Sequence, residues 1–553
     1  MDYFQPSLEV KSFTAHVQRI LLQTLDDLDG EKTLVWDMKQ DLLKRVSLFT
    51  TQKDLVSHGV VRQVRLEPGY RTSTTYVVFF LNPRWDSVQE MCNFMDREDE
   101  DTLYVAIFFP TADYVIREKL KEFDGGRYWN RLECVREIPT WWLPTDGDCL
   151  SMNELQVPGK LLINGDWTYL HKCAMALQKV LGLVKREIPI YSKGDWSGRM
   201  ARILKGSKKI DESPERLKVN RLVIIDRWLD PLTPMLTQQT YSGQLDERVG
   251  IEINGNLCQK GPGDGNNNSP NDFKGFSMTD SVYEQIRDVH VSQLKEKFDE
   301  IMDEMRKDEI TMEDFDNKSP AECKLLVKKL PKIQLRKAHW KSHVDMAVFL
   351  KERREEMVEY MNCEHDLLFK DYTTPSLLNN WFEKTETVPY ISEAIYDAVD
   401  LSTVLRLIAI QSLVQGGLKT SLLQTYRRLV YQSYGTEAVN KLLKLQIMGL
   451  MTEKREKTAD GTFHCDYPDF NFQHKKKSPG DENLLADGEQ QHWANWTRQG
   501  EETTFDDSKT AVFIVGGVTR AELGLIRQLP NVSLILTTAI ITGSTLIENL
   551  TTV

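Results

Sequence analysis

Residues 219–240, VNRLVIIDRWLDPLTPMLTQQT, constrain the fold of this chain more than any other stretch. The run Leu222-Val223-Ile224-Ile225 has no polar position, the habit of a strand buried on both faces in a parallel sheet. It stops at Asp226, and Pro231 and Pro234 then exclude both ladder pairing and a helix interior. The chain must leave the sheet here. In an open α/β sheet the carboxyl end of a strand is where ligands usually bind. Asp226 and Asp230 therefore admit two readings. One is a carboxylate pair for metal or acid/base work in a Rossmann-like enzyme. The other is a structural corner, with both carboxylates capping the turn through backbone bonds. No glycine loop, lysine or threonine motif completes a phosphate site nearby.

The flanking sequence alternates strand-like and helix-like runs. Leu8, Val10, Phe13, Val17, Ile20, Leu21, Leu25 and Leu28 recur at helical spacing. Residues 33–36, 76–81 and 103–109 are short apolar, β-branched and aromatic runs with helical patterns between them, which argues for a parallel sheet covered by helices. A length of 553 residues accommodates roughly three or four domains. The fold class expected is α/β, with two Rossmann-like parallel-sheet domains and a largely helical third domain that bears a projecting helical hairpin. A first α/β domain is expected over residues 1–144, closing where Pro-Thr-Asp-Gly-Asp breaks the pattern. The second is expected over 145–243, with helices at 167–184 and 196–204 and a strand at 187–191. It is completed by the tail 508–553, with strands at 511–515 and 533–537 around a helix at 519–529, so that it is discontinuous. The helical domain spans 244–455, with its hairpin at about 281–356, and 456–507 reads as a polar linker containing three lysines at 475–477.

Composition removes several classes of function. A net charge of −12 argues against nucleic acid, which favours basic faces. The eight cysteines include no CxxC pair, so neither a zinc site nor a disulfide framework is signalled. The first ten residues lack a basic-then-apolar leader, and the longest apolar runs, such as 534–541, are too short to span a bilayer. A soluble cytosolic chain with free cysteines is expected, touching membranes only indirectly. Gly261, Gly263 and Gly265 lie in a Gly/Asn/Pro-rich loop with no strand before it, a poor phosphate loop. Gly516-Gly517 lacks the G-x-G-x-x-G pattern and serves close strand-to-helix packing. His339 and His343 are spaced as a zinc pair, but no H-E-x-x-H glutamate or third ligand accompanies them, and they read as surface or capping residues. No nucleophile elbow is present. The expectation is a protein that is not an enzyme and takes neither cofactor nor metal.

The helical insert carries the remaining information. Val282, Ile286, Val289, Leu294, Phe298, Ile301 and Met305 predict one long helix. Ser319 and Pro320 then predict a capped start for a second helix running towards residue 361. Pro331 lies inside that helix, where proline costs about 3 kcal/mol, so a bend or break is expected there. Straightening of the bend is a step that a binding partner can drive. Further on, Val439, Leu442, Leu443, Leu445, Ile447 and Met448 exceed what one buried stripe needs, which predicts a partner surface at or beside Tyr434 and Val439.

Against this background, Asp226, Arg227, Asp230, Pro231 and Pro234 followed by Thr240-Tyr241 resemble the D-R-x-x-D-x-x-T-P-L…T-Y signature of the SM (Sec/Munc) proteins, which chaperone SNARE assembly in membrane fusion. Residues 329–334 and 343–347 resemble the M/L-P-x-x-Q…H-x-x-x-A run of that family's hairpin, the template on which two SNARE helices are aligned. The resemblance implies SNARE contacts at Pro331 and at Val344, where the family usually has a leucine. It also implies a cleft between first domain and hairpin, with Lys44, Arg45 and Lys53 as candidates for its basic side. Residues 34–37, 143–152 and 405–412 are similar to the vacuolar protein sorting thirty-three branch, the SM subunit of the HOPS and CORVET tethers at late endosomes and lysosomes or vacuoles. Residues 432–439 are similar to that branch's T-Y-G-x-E-x-I helix, whose neighbourhood docks an α-solenoid subunit. The function expected is that of a SNARE-assembly chaperone within such a tether; the alternatives are the Rossmann-like enzyme at Asp226 and Asp230 and a purely structural tether subunit.

Overall fold

Two parallel sheets carry the architecture. The structure, a computed structural model, describes residues 6–67, 74–96, 102–184, 186–205, 214–258, 276–307, 320–369, 389–453, 497–499 and 509–552. Gly261, Gly263, Gly265, Ser319, residues 475–477 and nearly all of the polar stretch 456–507 lie outside them.

The first sheet has five strands, β1 (Lys32–Trp36), β2 (Val60–Arg65), β3 (Tyr76–Leu81), β4 (Leu103–Phe108) and β5 (Leu132–Glu137). They are all parallel and ordered β2-β1-β3-β4-β5. The inner strands β1, β3 and β4 are almost wholly buried, as their apolar runs predict. The edge strands β2 and β5 escape a search for such runs, because about half of each faces solvent and VVRQVR and LECVRE mix charge with aliphatics.

The second sheet takes β6 (Leu143–Thr145), β7 (Cys149–Ser151), β8 (Ile190–Lys193), β9 (Arg221–Asp226), β10 (Thr497–Gln499), β11 (Thr510–Val515) and β12 (Val532–Thr537) in the order β10-β8-β9-β11-β12-β7-β6. The C-terminal β11 inserts between β9 and β12 and pairs with β9 over its whole length. Two antiparallel strands close the edges, β6 on β7 and β10 on β8. β10 adds a strand to the stretch 456–507 that the sequence reads as linker: Thr497, Arg498 and Gln499 pair with Ser192, Tyr191 and Ile190 at the sheet edge.

The helix Leu8–Asp26 joins the sheets. Its Val10, Phe13, Val17, Leu21 and Leu25 enter one core with β1, β9 and β11, while Leu8 at its first turn is half exposed. A second core gathers the helices Leu401–Gln415, Thr420–Tyr434 and Thr436–Ile447.

The hairpin departs from the sequence reading in its first helix. The expected single helix over residues 282–305 is two, Ser281–Ile286 and Leu294–Lys307. The chain opens between them because His290 makes an antiparallel bridge with Thr240, and the carbonyls of Arg287 and Val289 accept the amides of Ser242 and Tyr241. The returning helix Pro320–Glu356 does not break at Pro331; 37 residues remain helical through it. One missing N–H costs one bond, and Pro331 is exposed, where water can serve the freed carbonyl.

Four segments meet at one buried charge cluster. Asp146, in the turn between β6 and β7, pairs with Arg520 at 2.8 Å and with Arg527 at 3.3 Å. Asp148 pairs with Arg527 at 2.7 Å and with Arg287 at 3.2 Å. Asp288 pairs with Arg527 at 2.7 Å and Asp246 with Arg520 at 3.1 Å. Burial pushes the Asp146 carboxyl up, but Arg520, Arg527 and Arg287 outweigh it and hold the group well below the usual carboxylate range. Such stabilisation is present above the unfolded value near 4 and is lost as pH falls below it. Asp146→Asn leaves buried guanidinium charge uncompensated and should cost about 3–5 kcal/mol at pH 7. Urea unfolding should show the gap between variant and wild type narrowing only below about pH 4.

Candidate functional site

The corner after β9 is a closed structural unit. Asp226 accepts the backbone amides of Trp196 at 2.8 Å and Ser197 at 2.7 Å, so it caps the helix Asp195–Lys205 rather than its own turn. The approach is close enough that a Cβ on Gly194, whose φ is +109°, would lie 2.1 Å from the Asp226 Oδ2. Asp230 accepts the amides of Leu232 at 3.1 Å and Thr233 at 3.0 Å and holds the turn itself. Arg227 is fully buried; its Nη1 donates to both Glu522 oxygens at 2.7 and 2.8 Å, and its Nε and Nη2 donate to the Asp230 carbonyl. Glu522 also closes a capping box with Thr519 at the start of the helix Arg520–Arg527. Pro231 is buried, and Pro234 lies in the first turn of the short helix Thr233–Met235. Gly516 lets this packing close, since a Cβ there would lie 2.7 Å from that of Arg227. Both carboxylates are engaged by main-chain donors. The geometry is that of a brace.

The corner is tied in turn to the helical region. Arg406 reaches the Met235 carbonyl and Glu247, and Glu364 accepts the Thr237 amide at 2.7 Å.

In the hairpin, Phe298 meets Trp340 edge-on at 6.3 Å, and Ile301, Met305, Met346 and Leu350 are buried between the helices. His343 is not the surface or capping residue that its spacing suggests. It is fully buried, with Nε2 3.0 Å from Asp280 and Nδ1 2.9 Å from the Tyr241 hydroxyl. His339 is half-buried and contributes no metal ligand set; among the described residues no three His, Cys, Asp or Glu side chains converge on a metal site. Val344 is half-buried and packs into the hairpin core. Pro331, Leu335 and Val348 are exposed on the long helix, and Val348, 52% exposed, lies on the side away from His343, Met346 and Leu350.

The three basic candidates do not form one face. Lys44 is held by Glu252 at 3.1 Å and Asp41 at 3.4 Å. Arg45 is half-buried, with Nη2 3.4 Å from the Thr140 carbonyl, and burial pulls its guanidinium down. Lys53 is exposed. A cavity of about 380 Å³ opens between the first helix, Leu48 and the hairpin base at Tyr283 and Arg287.

At the helical tail, Tyr434 and Val439 are half-buried against the second core, and the Tyr434 hydroxyl donates to the Val399 carbonyl. The more exposed apolar residues lie beside them: Tyr431, Leu443 and, at 62%, Ile447. Val439, Leu443 and Ile447 are four apart and share one helical face.

Residues 32–484 match the Sec1 family. The chain belongs to that family. It is 38% identical to the vacuolar protein sorting-associated protein 33A of Caenorhabditis elegans over 99% of this chain and 97% of the relative. It is 25% identical to the protein of the same name from Drosophila melanogaster, over 94% and 89%. Among solved structures, this Sec1-family fold is similar to the SM protein Vps45 in complex with the Qa SNARE Tlg2, with a TM-score of 0.61, 17% identity and coverage of 98% and 97%. It is similar also to the Unc18–syntaxin 1 complex of Monosiga brevicollis, with a TM-score of 0.60, 15% identity and coverage of 97% and 99%. Among the described residues no helix is long and apolar enough to cross a membrane.

Reading the sequence alone missed the charge cluster and the Tyr241–His343 contact. Asp146, Gly147 and Asp148 stand out as a turn, but nothing local pairs them with Arg287, Arg520 or Arg527. At the corner, burial pushes the Asp226 carboxyl up to about 6 against the pull of its two amide donors. A raised value means stability that is full below the unfolded value near 4 and lost as pH rises through 6. Wild-type stability should therefore fall by about 3 kcal/mol between pH 4 and 6 from this group, and Asp226→Asn should remove that slope in denaturant titrations.

Proposed function

We propose that this chain is a non-enzymatic template for SNARE-complex assembly, working as the SM subunit of a HOPS- or CORVET-type tether on the cytoplasmic side of late endosomes and lysosomes or vacuoles. The observation that carries the reading is the long helix Pro320–Glu356: one side is locked into the body through His343, Met346 and Leu350, while the opposite side leaves Val348 uncovered. That is the arrangement a helical partner needs, an apolar position on the open side of a helix whose other side is already packed. Family membership and the SNARE-bound relatives support it. Pro331, exposed on that helix, and Val344 are proposed to border the SNARE face. Lys53 contributes at most a distant charge, since Lys44 and Arg45 are already engaged. The partner in the tether is an α-solenoid subunit, docked beside Tyr434 and Val439 on the stripe that Leu443 and Ile447 extend.

Titration with Qa- and R-SNARE motif peptides tests the template. Val348→Asp puts a charge into an apolar contact and should weaken binding at least tenfold, about 1.4 kcal/mol, without loss of helicity. Val344→Asp should weaken it too but also lower the melting temperature, because Val344 is half-buried. Equal affinities for wild type and Val348→Asp would reduce the hairpin to a strut and leave a purely structural tether subunit.

For the tether, Ile447→Asp is the cleaner variant, since Ile447 is 62% exposed. It should release the solenoid subunit in co-purification from cells while circular dichroism stays unchanged; retention of the subunit would refute this surface.

A further inference from the structure

Tyr241 closes the corner signature and His343 opens the second hairpin run, and the fold brings them to 2.9 Å across 102 positions of sequence. Asp280 completes the bridge at 3.0 Å. The three residues come from three elements: Tyr241 begins the helix Tyr241–Arg248, Asp280 caps the helix Ser281–Ile286, and His343 lies within Pro320–Glu356. Each end of the bridge is itself fixed. Asp280 uses its other oxygen to accept the amides of Val282 and Tyr283, both at 2.9 Å. Tyr241 is held by its amide on the Val289 carbonyl at 3.0 Å. Phe276 and Tyr283 pack their rings against the imidazole at 4.9 and 6.1 Å between centroids.

We propose that the Tyr241–His343–Asp280 bridge positions the long helix in rotation, and so decides which of its faces is turned to solvent. Successive residues of a helix are about 100° apart, so a shift of one residue would turn Val348 off its solvent-facing azimuth and move half-buried Val344 from its place in the hairpin core. The apolar contacts beneath, through Met346, Leu350 and Phe298, are non-directional and tolerate such rotation. Hydrogen bonds at both ring nitrogens do not. The tautomer that donates from Nε2 to Asp280 leaves Nδ1 to accept the Tyr241 hydroxyl proton, and only one azimuth satisfies both. A rotated helix would leave one oxygen of the buried Asp280 carboxylate and the buried Tyr241 hydroxyl without their His343 partner. The consequence for SNARE binding rests on the function proposed above; the orientation itself is measurable without a partner.

The experiment places spin labels on non-canonical amino acids at the exposed positions Lys341 and Lys53 of the full chain and measures their separation by double electron–electron resonance. Wild type should give one narrow distance. Tyr241→Phe, which removes a single oxygen, and His343→Ala should both broaden it, with circular dichroism unchanged for the first. In parallel, Tyr241→Phe should weaken a Qa-SNARE motif peptide at least threefold. A distance that stays narrow in a folded Tyr241→Phe protein would overturn the proposal, and if His343→Ala fails to fold, that variant alone decides. Failure of wild type to bind any SNARE peptide would overturn the function proposed above and leave the distance result standing.

Discussion

The buried charge cluster around Asp146 is the constraint on which the arrangement of this molecule depends. Three arginines and four aspartates, drawn from residues 146–148, the helix Tyr241–Arg248, residues 287–288 and the helix Arg520–Arg527, pair with one another, with Asp146 and Arg520 deeply buried and Asp148 and Asp288 at the partly exposed rim. Taking such charges from solvent is costly, and attraction inside roughly offsets that cost. The cluster is therefore poor as a source of stability and strong as a source of specificity. Any alternative packing of the hairpin base against the second sheet would strand several charges. The turn that presents Asp146 needs a left-handed residue, and Asp146 itself adopts φ of +50° with Gly147 at +73°. Aspartate is among the few side chains that tolerate that region.

A second brace works by the same logic one layer away. Arg227 joins the end of β9 to Glu522, which already caps the helix after β11, so the two halves of a sheet separated by nearly 300 residues close on one guanidinium. Arg406 joins the same corner to the helical region through Met235 and Glu247. What the carboxylates of Asp226 and Asp230 do is local: they satisfy orphan amides at a helix start and in a turn. A motif placed where α/β enzymes bind ligands has here become the joint between three parts of the fold.

How much of this was legible follows from what each element asks of its residues. The inner strands β3, β9 and β11 are buried on both faces and therefore announce themselves as unbroken apolar runs. The edge strands β2 and β5 answer to solvent on one side or more and carry no such signal, and the three residues of β10 are too short and polar a run to show one. The apolar spacing from Val282 to Met305 was real, since those residues do face one core, but spacing cannot reveal that His290 bridges to Thr240 and opens the helix. Of the bend or break expected at Pro331 the break is absent, because an exposed position in a 37-residue helix loses one backbone bond without ending the helix. His343 misled most. A histidine with no nearby ligand in sequence reads as surface, and only the long-range partners Tyr241 and Asp280 make it a core residue.

The two uncovered apolar surfaces, the tail stripe and Val348 on the hairpin, differ in how they are held, and this bears on how each can bind. The tail stripe of Val439, Leu443 and Ile447 lies on a twelve-residue helix whose inner face, Ala438, Leu442 and Leu445, is packed into the second core. Its orientation comes from apolar contact along its length, which resists displacement but fixes rotation weakly. On the hairpin, exposed Val348 lies on a helix anchored at His343, where burial keeps the Tyr241 hydroxyl protonated and the His343 bond, opposing burial, holds Asp280 ionised. Those two states are the ones that let the hydroxyl donate and the carboxylate accept. Affinity for a helical partner rises when the receiving surface loses little freedom on binding. A directional anchor at the base of a long helix supplies that pre-organisation where apolar packing alone would not, and it does so with residues that never touch the partner.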